Sequence, residues 1–443
     1  MNIKELVFGS YLKAEKYLNG FDSSTRDLAL TQNLFQELGI SFSRWPRVVV
    51  TGSKGKGSTA VMLASILAAS GEKVGLVTSP ELRRFNERIR INGVCVSDED
   101  LEQAAKEIAP TVHPIVSEIL PPKYLGPGGI ILALAAKIFI KRQVTVVVIE
   151  AGRGGEHDES RLVAANVSII TPIMLKHSAK IGPTLKDIAR TKTYIAAPGS
   201  IIVSASQEPA IKKVISEVAG KLSASLFFVD ESVKISRVKI ENESTLCNLQ
   251  IDGDKYNNLE LALIGSHQVE NAATAILAAR ALKKFGAKCT REGIYTGVLQ
   301  VRWPGRCQVL QKNPWVFLDG AINKTSAKLF MQNINSLSAN KITAVLSIHT
   351  EKDLEGVCSV IAKLVDNIIL TEVHTTGLLW NKNALLKIAS KYFKNVVYIS
   401  SVNEAFDFAK KKAKKDEGII LLGHQSFVGA ALGYWDVDTS TLW

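Results

Sequence analysis

The chain has 443 residues, 46% hydrophobic and 22% charged, with a net charge of +12. Single cores rarely grow beyond ~250 to 300 residues, so two or three domains are expected, and the ordinary apolar content excludes a disordered protein. The lysines are spread along the chain and dense only over 409–415, a solvated helix face rather than a nucleic-acid arm, and the longest apolar run, 129–136, is too short to span a bilayer.

A basic balance remains compatible with anionic small substrates. The first residues, Met1 to Leu6, lack a positive region followed by a long apolar stretch and do not read as a signal peptide. Cys95, Cys247, Cys289, Cys307 and Cys358 show no C-x-x-C spacing, so neither a zinc site nor a disulfide framework is expected. A reducing, cytoplasmic setting fits that pattern, with no membrane and no nucleic-acid partner.

The first strand-like run, Val48 to Thr51, leads into Gly52-Ser-Lys-Gly-Lys-Gly-Ser-Thr59 and then into an apolar stretch with helical spacing from Val61. Glycines between a buried strand and a helix let backbone N–H groups approach an anion at the helix N-terminus. Gly52, Gly55 and Gly57 therefore form a phosphate cradle, with Lys56 along the phosphates, Ser58 facing a magnesium ion and Thr59 opening the helix. An inert turn is the competing reading, and it would stack two lysines at the positive end of a helix dipole. The spacing is G-x-x-G-K-G-S, not the G-x-x-x-x-G-K-[ST] of the common P-loop.

Further strand runs follow at Val74–Thr78, Val144–Glu150, Val167–Thr171 and Ile201–Ser204, separated by helical stretches. This alternation predicts an α/β fold with a mostly parallel sheet, whose ligands sit at the carboxyl ends of its strands. Glu150 ends one such strand beside the cradle and is placed to hold magnesium; a structural ion pair is the alternative. His177, after the next strand, could bring a neutral imidazole to the same metal, although a lone loop histidine is weak evidence. Lys192, on a helix from about Thr184, reads on its own as a surface lysine.

Residues 226–264 read as a small antiparallel appendage, followed by an alanine-rich helix from about His267 to Phe285. A break at Gln300–Gly305 sets the expected domains at 1–298 and 299–443. The second repeats the α/β alternation, at 316–320, 342–347, 368–371, 396–400 and 418–422, and is expected to be a smaller, Rossmann-like open parallel sheet.

Taken together, Gly52–Thr59, Thr78–Leu82, Arg84–Ile89, Glu150 with its glycines, His177 with Gly182 and Thr184, Gly265–Gln268 with Asn271–Ala273, Arg302–Arg306 and Asp319–Ala321 resemble the folylpolyglutamate synthases of the Mur ligase superfamily. The resemblance implies a P-loop-type ATPase domain and an ATP-dependent amide ligase. It implies that a substrate carboxylate is phosphorylated to an acyl phosphate and that an amino acid, glutamate in this family, displaces phosphate. Lys56 would contact the phosphates; Ser58, Glu150 and His177 would hold Mg2+; Asn271 would meet the adenine; Arg306 and Asp319 would reach ATP across the domain cleft. Lys192 falls on the lysine that is carbamylated in the family. The partners implied are a small-molecule acid and an amino acid, acting on a monomer.

Several positions depart from the family pattern. Glu81 stands for a histidine, Pro127-Gly-Gly129 for Phe-Phe-Glu, Glu156 for an arginine, Arg161 for an asparagine, Lys176 for an aspartate and Ile322 for a histidine. Exchanging Arg for Glu reverses local charge, so the same anionic ligand would not bind unchanged. Two further readings follow: a specialised amide synthase acting on a non-folate acid, and a nucleotide-binding pseudoenzyme. Retention of Lys56, Ser58, Glu150, His177 and Lys192 argues against the second.

Overall fold

A computed structural model of the chain describes residues 2–15, 27–152, 154–174, 182–241, 243–334, 341–373 and 380–443. Valine- and isoleucine-rich runs buried on both faces form its first sheet, as expected of parallel strands covered by helices. The strands are β1 (Arg47–Thr51), β2 (Val74–Val77), β3 (Ile89–Ile91), β4 (Val94–Cys95), β5 (Val146–Glu150), β6 (Val167–Ile170), β7 (Ile201–Ser204) and β8 (Ser225–Phe228). Their order is β4-β3-β2-β5-β1-β6-β7-β8, parallel except for the short β3 and β4 at one edge.

β1 and β5 are central neighbours, with Val50 opposite Glu150. That register sets the glycine loop after β1 beside the carboxylate that ends β5. The helix Lys56–Ala69 follows β1; ten of its residues, from Ser58 to Leu67, are buried on all faces between the sheet and the helices Ser266–Leu282 and Arg291–Gln300. The other face is covered by Ile3–Glu15, Leu28–Glu37, Asp98–Glu118 and Pro127–Lys141.

β9 (Val233–Ile240), β10 (Thr245–Ile251) and β11 (Asp254–Leu261) form the antiparallel appendage. The second sheet holds β12 (Gln308–Lys312), β13 (Trp315–Asp319), β14 (Ile342–Ser347), β15 (Asn367–Leu370), β16 (Val396–Tyr398) and β17 (Gly418–Gly423) in the order β12-β13-β17-β14-β15-β16. It differs from an all-parallel sheet at one edge, where β12 pairs antiparallel with β13. The intervening Asn313-Pro314 turn is too short for the crossover that parallel pairing needs.

The chain crosses between the two sheets twice. After Gln300 it passes outward through Val301–Pro304, and after the helix Gln425–Tyr434 it returns, setting Leu442 fully buried in the core cluster that also holds the helix Lys56–Ala69. The two crossings touch, the Arg302 N–H donating to the Leu442 carbonyl at 2.7 Å. No helix among the described residues is long and apolar enough to cross a membrane, and the five cysteines are all free thiols.

Candidate active site

β1 ends at Thr51, and the chain leaves it through Gly52 at φ 136°, where a Cβ would fall 2.0 Å from the Thr171 hydroxyl. Gly55 caps the helix Lys56–Ala69 at φ 84°, and a Cβ there would fall 2.6 Å from Asn271 Oδ1. Backbone conformation and close passage both require glycine, so the loop keeps bare N–H groups at a helix N-terminus, an anion-binding arrangement. Lys56 lies back along the loop, its Nζ donating to the Gly52 carbonyl at 3.3 Å. Ser58 and Thr59 are buried in the first turn.

Asn271 is turned beneath this loop. Its Oδ1 accepts from the Thr59 hydroxyl at 3.3 Å and its Nδ2 donates to Gln268 Oε1 at 2.9 Å. With both ends of the amide engaged and 5% of the residue exposed, Asn271 braces the cradle from the helix Ser266–Leu282.

Glu150 is buried at the end of β5, and its Oε2 accepts the Ser79 N–H at 3.1 Å. Burial pushes its carboxyl above the ordinary glutamate value, opposed by Lys56, the Ser79 amide and Arg306. Glu150 lines two spaces. One is a small cleft of about 40 Å³ shared with Gly57, Ser79, Trp303, Arg306 and Gln425. The other is a cavity of about 330 Å³ shared with Phe8, Tyr11, Arg88, Gly128 and Glu159.

Across the small cleft, Arg306 Nη1 donates to the Gly305 carbonyl at 3.0 Å. Asp319, at the end of β13, accepts the Cys307 N–H at 2.8 Å; burial raises its carboxyl, against the pull of Arg306 and Lys54. Trp303 in the first crossing lies against Gly57, where a Cβ would fall 2.7 Å from the indole. Beyond it, His349 and His424 meet at the carboxyl ends of β14 and β17 with ring centroids 3.6 Å apart. Burial lowers both, His424 to about 4 with His349 beside it.

The structure thus brings Gly52, Gly55, Lys56, Gly57, Ser58, Thr59 and Glu150 together, with Arg306 at the far side of the same cleft. His177 and Lys176 lie outside the described residues. Lys192, which in isolation reads as a surface lysine, is buried at 3% exposure. Its helix, Leu185–Thr193, is pressed onto the turn after β5: the Thr191 carbonyl accepts the Glu156 N–H at 2.9 Å and leaves no room for a Cβ at Gly155.

Among the described residues no group of three or more His, Cys, Asp and Glu side chains could by itself hold a metal. The Glu150 carboxylate and the Ser58 hydroxyl nevertheless offer hard oxygen donors beside a phosphate loop, and a desolvated carboxylate gains from a cation. Magnesium fits this, since it is held by one or two protein oxygens with phosphates and waters completing its shell.

The departures have structural counterparts. Glu81 pairs with Arg88 at 2.5 Å, and the Arg88 guanidinium lies over Phe8 and Phe85 at 5.5 and 5.7 Å. Glu159 fills the space over the glycines, with its oxygens 1.5 and 2.7 Å from where Cβ atoms would stand at Gly126 and Gly128. At Gly129, where the family pattern has the acid, a Cβ would instead meet Thr31. Arg161 Nη1 donates to the Glu156 carbonyl at 3.3 Å, so these two departures meet each other. Sequence reasoning missed Glu159, Glu87 and the histidine pair as site-shaping groups. Glu87 had one signal, its place in the Arg84–Ile89 stretch.

Comparison with known proteins agrees with this architecture. Residues 128–279 match the Mur ligase middle domain and residues 305–425 the Mur ligase glutamate ligase domain. The chain is 28% identical over 432 residues to a dihydrofolate synthase/folylpolyglutamate synthase of Bacillus subtilis, covering 95% of this chain and 98% of that one. It is 27% identical over 370 residues to the folylpolyglutamate synthase of Lacticaseibacillus casei, covering 83% and 86%. Mycobacterium tuberculosis folylpolyglutamate synthase, solved with ADP and AMPPCP, superposes with a TM-score of 0.86 at 27% identity over 98% of this chain and 99% of that chain. Escherichia coli FolC with DHPP and ADP superposes with a TM-score of 0.81 at 26% identity over 97% of each.

Proposed function

We propose, for a chain that belongs to the folylpolyglutamate synthase family of the Mur ligases and is an ATP-dependent acid–amino-acid ligase, that it joins glutamate to the carboxylate of a folate-type acid. One observation carries the reading: Glu150 stands in the wall between the phosphate cleft and the larger cavity, where a phosphate donor and an organic acid would meet.

In the proposed reaction an oxygen of the acid's carboxylate attacks the γ-phosphorus of ATP, forming an acyl phosphate as ADP leaves. The amine nitrogen of glutamate then attacks the acyl carbon, the C–O bond to phosphate breaks, and the nitrogen gives up a proton. A carboxylate is a poor electrophile, and phosphorylation supplies its leaving group. The cradle amides and Lys56 bind the phosphates, and Arg306 meets them from the second sheet. Glu150 and Ser58, with His177 expected alongside, would hold a magnesium ion, which offsets phosphate charge when bound. Apposition of the two units shields the acyl phosphate from water. Lys192 is expected to carry a carbamate, which its burial beside the turn after Glu150 would protect.

The test is ATP- and glutamate-dependent extension of tetrahydrofolate, followed by ADP release and by the mass of the product, with Lys56→Ala as control. Turnover that Lys56→Ala abolishes is the expected result. No product across folates, together with nucleotide binding, would remove this reading.

A second reading is favoured by Glu159, whose carboxyl lines the larger cavity over Gly126 and Gly128. It assigns a non-folate acid. ADP release across a panel of carboxylic acids separates the two.

A further inference from the structure

We infer that Thr439 is a positioning residue for the ligase centre, seating Glu87 and through it the segment that presents Ser79 to Glu150. Glu87 is buried in the turn Phe85–Arg88. Its Oε2 accepts the Leu82 and Arg83 N–H groups at 2.7 and 3.3 Å, and its Oε1 accepts the Arg84 N–H at 3.2 Å and the Thr439 hydroxyl at 2.7 Å. These four donors match the acceptor capacity of an ionised carboxylate. The backbone of Glu87 is tied in as well, its carbonyl accepting from the Thr78 hydroxyl at 3.2 Å. Residues 78–88 therefore fold around one carboxylate, and Ser79, inside that loop, donates to Glu150.

Thr439 comes from the second crossing. Arg90, buried beside it, donates to the Thr439 and Ser440 carbonyls at 2.7 and 2.8 Å. The helix before the crossing touches the same loop, because a Cβ at Gly429 would stand 2.2 Å from the Leu82 carbonyl. The loop is thus held between β5 on one side and groups that follow the second sheet on the other. Thr439 is itself held on the first unit by Arg90 and by the buried Leu442 that follows, so its hydroxyl fixes Glu87 and, through it, the amide that orients Glu150. Threonine suits the task because a single hydroxyl supplies the fourth donor at a buried oxygen, which would otherwise lose a charge-assisted bond.

The test compares Thr439→Val, Thr439→Ser and Thr441→Val in the full chain. Amide hydrogen exchange at Leu82, Arg83 and Arg84 is read first, without substrate; ATP affinity and kcat follow with whichever acid the wild type accepts. Thr439→Val is expected to speed exchange at those amides at least tenfold and lower kcat about tenfold, with ATP affinity within twofold of wild type. Thr439→Ser is expected to restore both within twofold, and Thr441→Val to change neither. Unaltered exchange in Thr439→Val overturns the inference, as does a Thr439→Ser variant as impaired as Thr439→Val or an equal effect of Thr441→Val. Should Thr439→Val not fold, Thr439→Ser against Thr439→Ala gives the same comparison. The inference rests on the ligase reading only through kcat; a wild type that turns over no acid would sink that reading and leave the exchange comparison intact.

Discussion

Glu150 is the residue on which the site turns, and its buried carboxyl makes the protein sensitive to pH. Burial raises its pKa, and that of Asp319, above the unfolded-chain values. A carboxyl raised in the folded state favours folding in its protonated form. The contribution is fully present below the unfolded value, roughly pH 4, and is lost as pH rises through the folded value. Glu150→Gln is therefore expected to flatten the fall in Tm of the magnesium-free protein as pH rises above about 4, measured by calorimetry in chelator. An unchanged slope would refute it. The same variant is expected to lose about 100-fold or more in magnesium-dependent ADP formation, because a neutral amide cannot compensate a divalent cation. Glu150 was legible in the sequence because it ends a valine-rich run beside glycines. Lys192 alone was not: its burial comes from the helix Leu185–Thr193 docking on Gly155, a contact no local pattern announces.

At the scale of elements, the cradle depends on how tightly its helix is packed. A Cβ at Gly297 would stand 2.5 Å from Ile66 Cα and 2.6 Å from Ile66 N, so the helices Lys56–Ala69 and Arg291–Gln300 meet backbone to backbone. Backbone atoms cannot swing aside as a side chain can. Gly297→Ala is expected to destabilise by about 1–3 kcal/mol despite its better helix propensity, read as a lowered urea midpoint with an unchanged slope. A midpoint at or above wild type would show that the helices can part at little cost. The strands were legible because double-sided burial leaves runs such as Val146–Ile149 uninterrupted. β12 was not, since Gln308–Lys312 lies at an edge, half-buried and mixed in polarity. The long helix Asp98–Glu118 carries Pro110 and Pro114, which speak locally against a helix although packing retains it.

For the molecule as a whole, the paired crossings make each unit depend on the other. Leu442 arrives after the second sheet yet is fully buried in the same core cluster as the helix that carries the cradle. Leu442→Ala is expected to cost about 2–5 kcal/mol, and the loss should appear as faster amide exchange in Val61–Leu67 rather than in β14 or β17. Equal loss in both sheets would mean that the crossing is not seated in the first core. No six-residue segment as mixed as Asp438–Trp443 signals by periodicity that it will return to another core. Its destination becomes visible through the carbonyls that Arg90, Cys95 and Arg302 hold.

The contact between Arg302 and Leu442 fixes the geometry of any swing. Two crossing segments bound side by side lie along one line, like the spine of a book, about which the covers would open and shut. An approach of Arg306 and Asp319 to the glycine loop would then be expected as a rotation about that line. Spectroscopic labels on exposed Leu120 and Leu364 would read such a rotation as a changing distance.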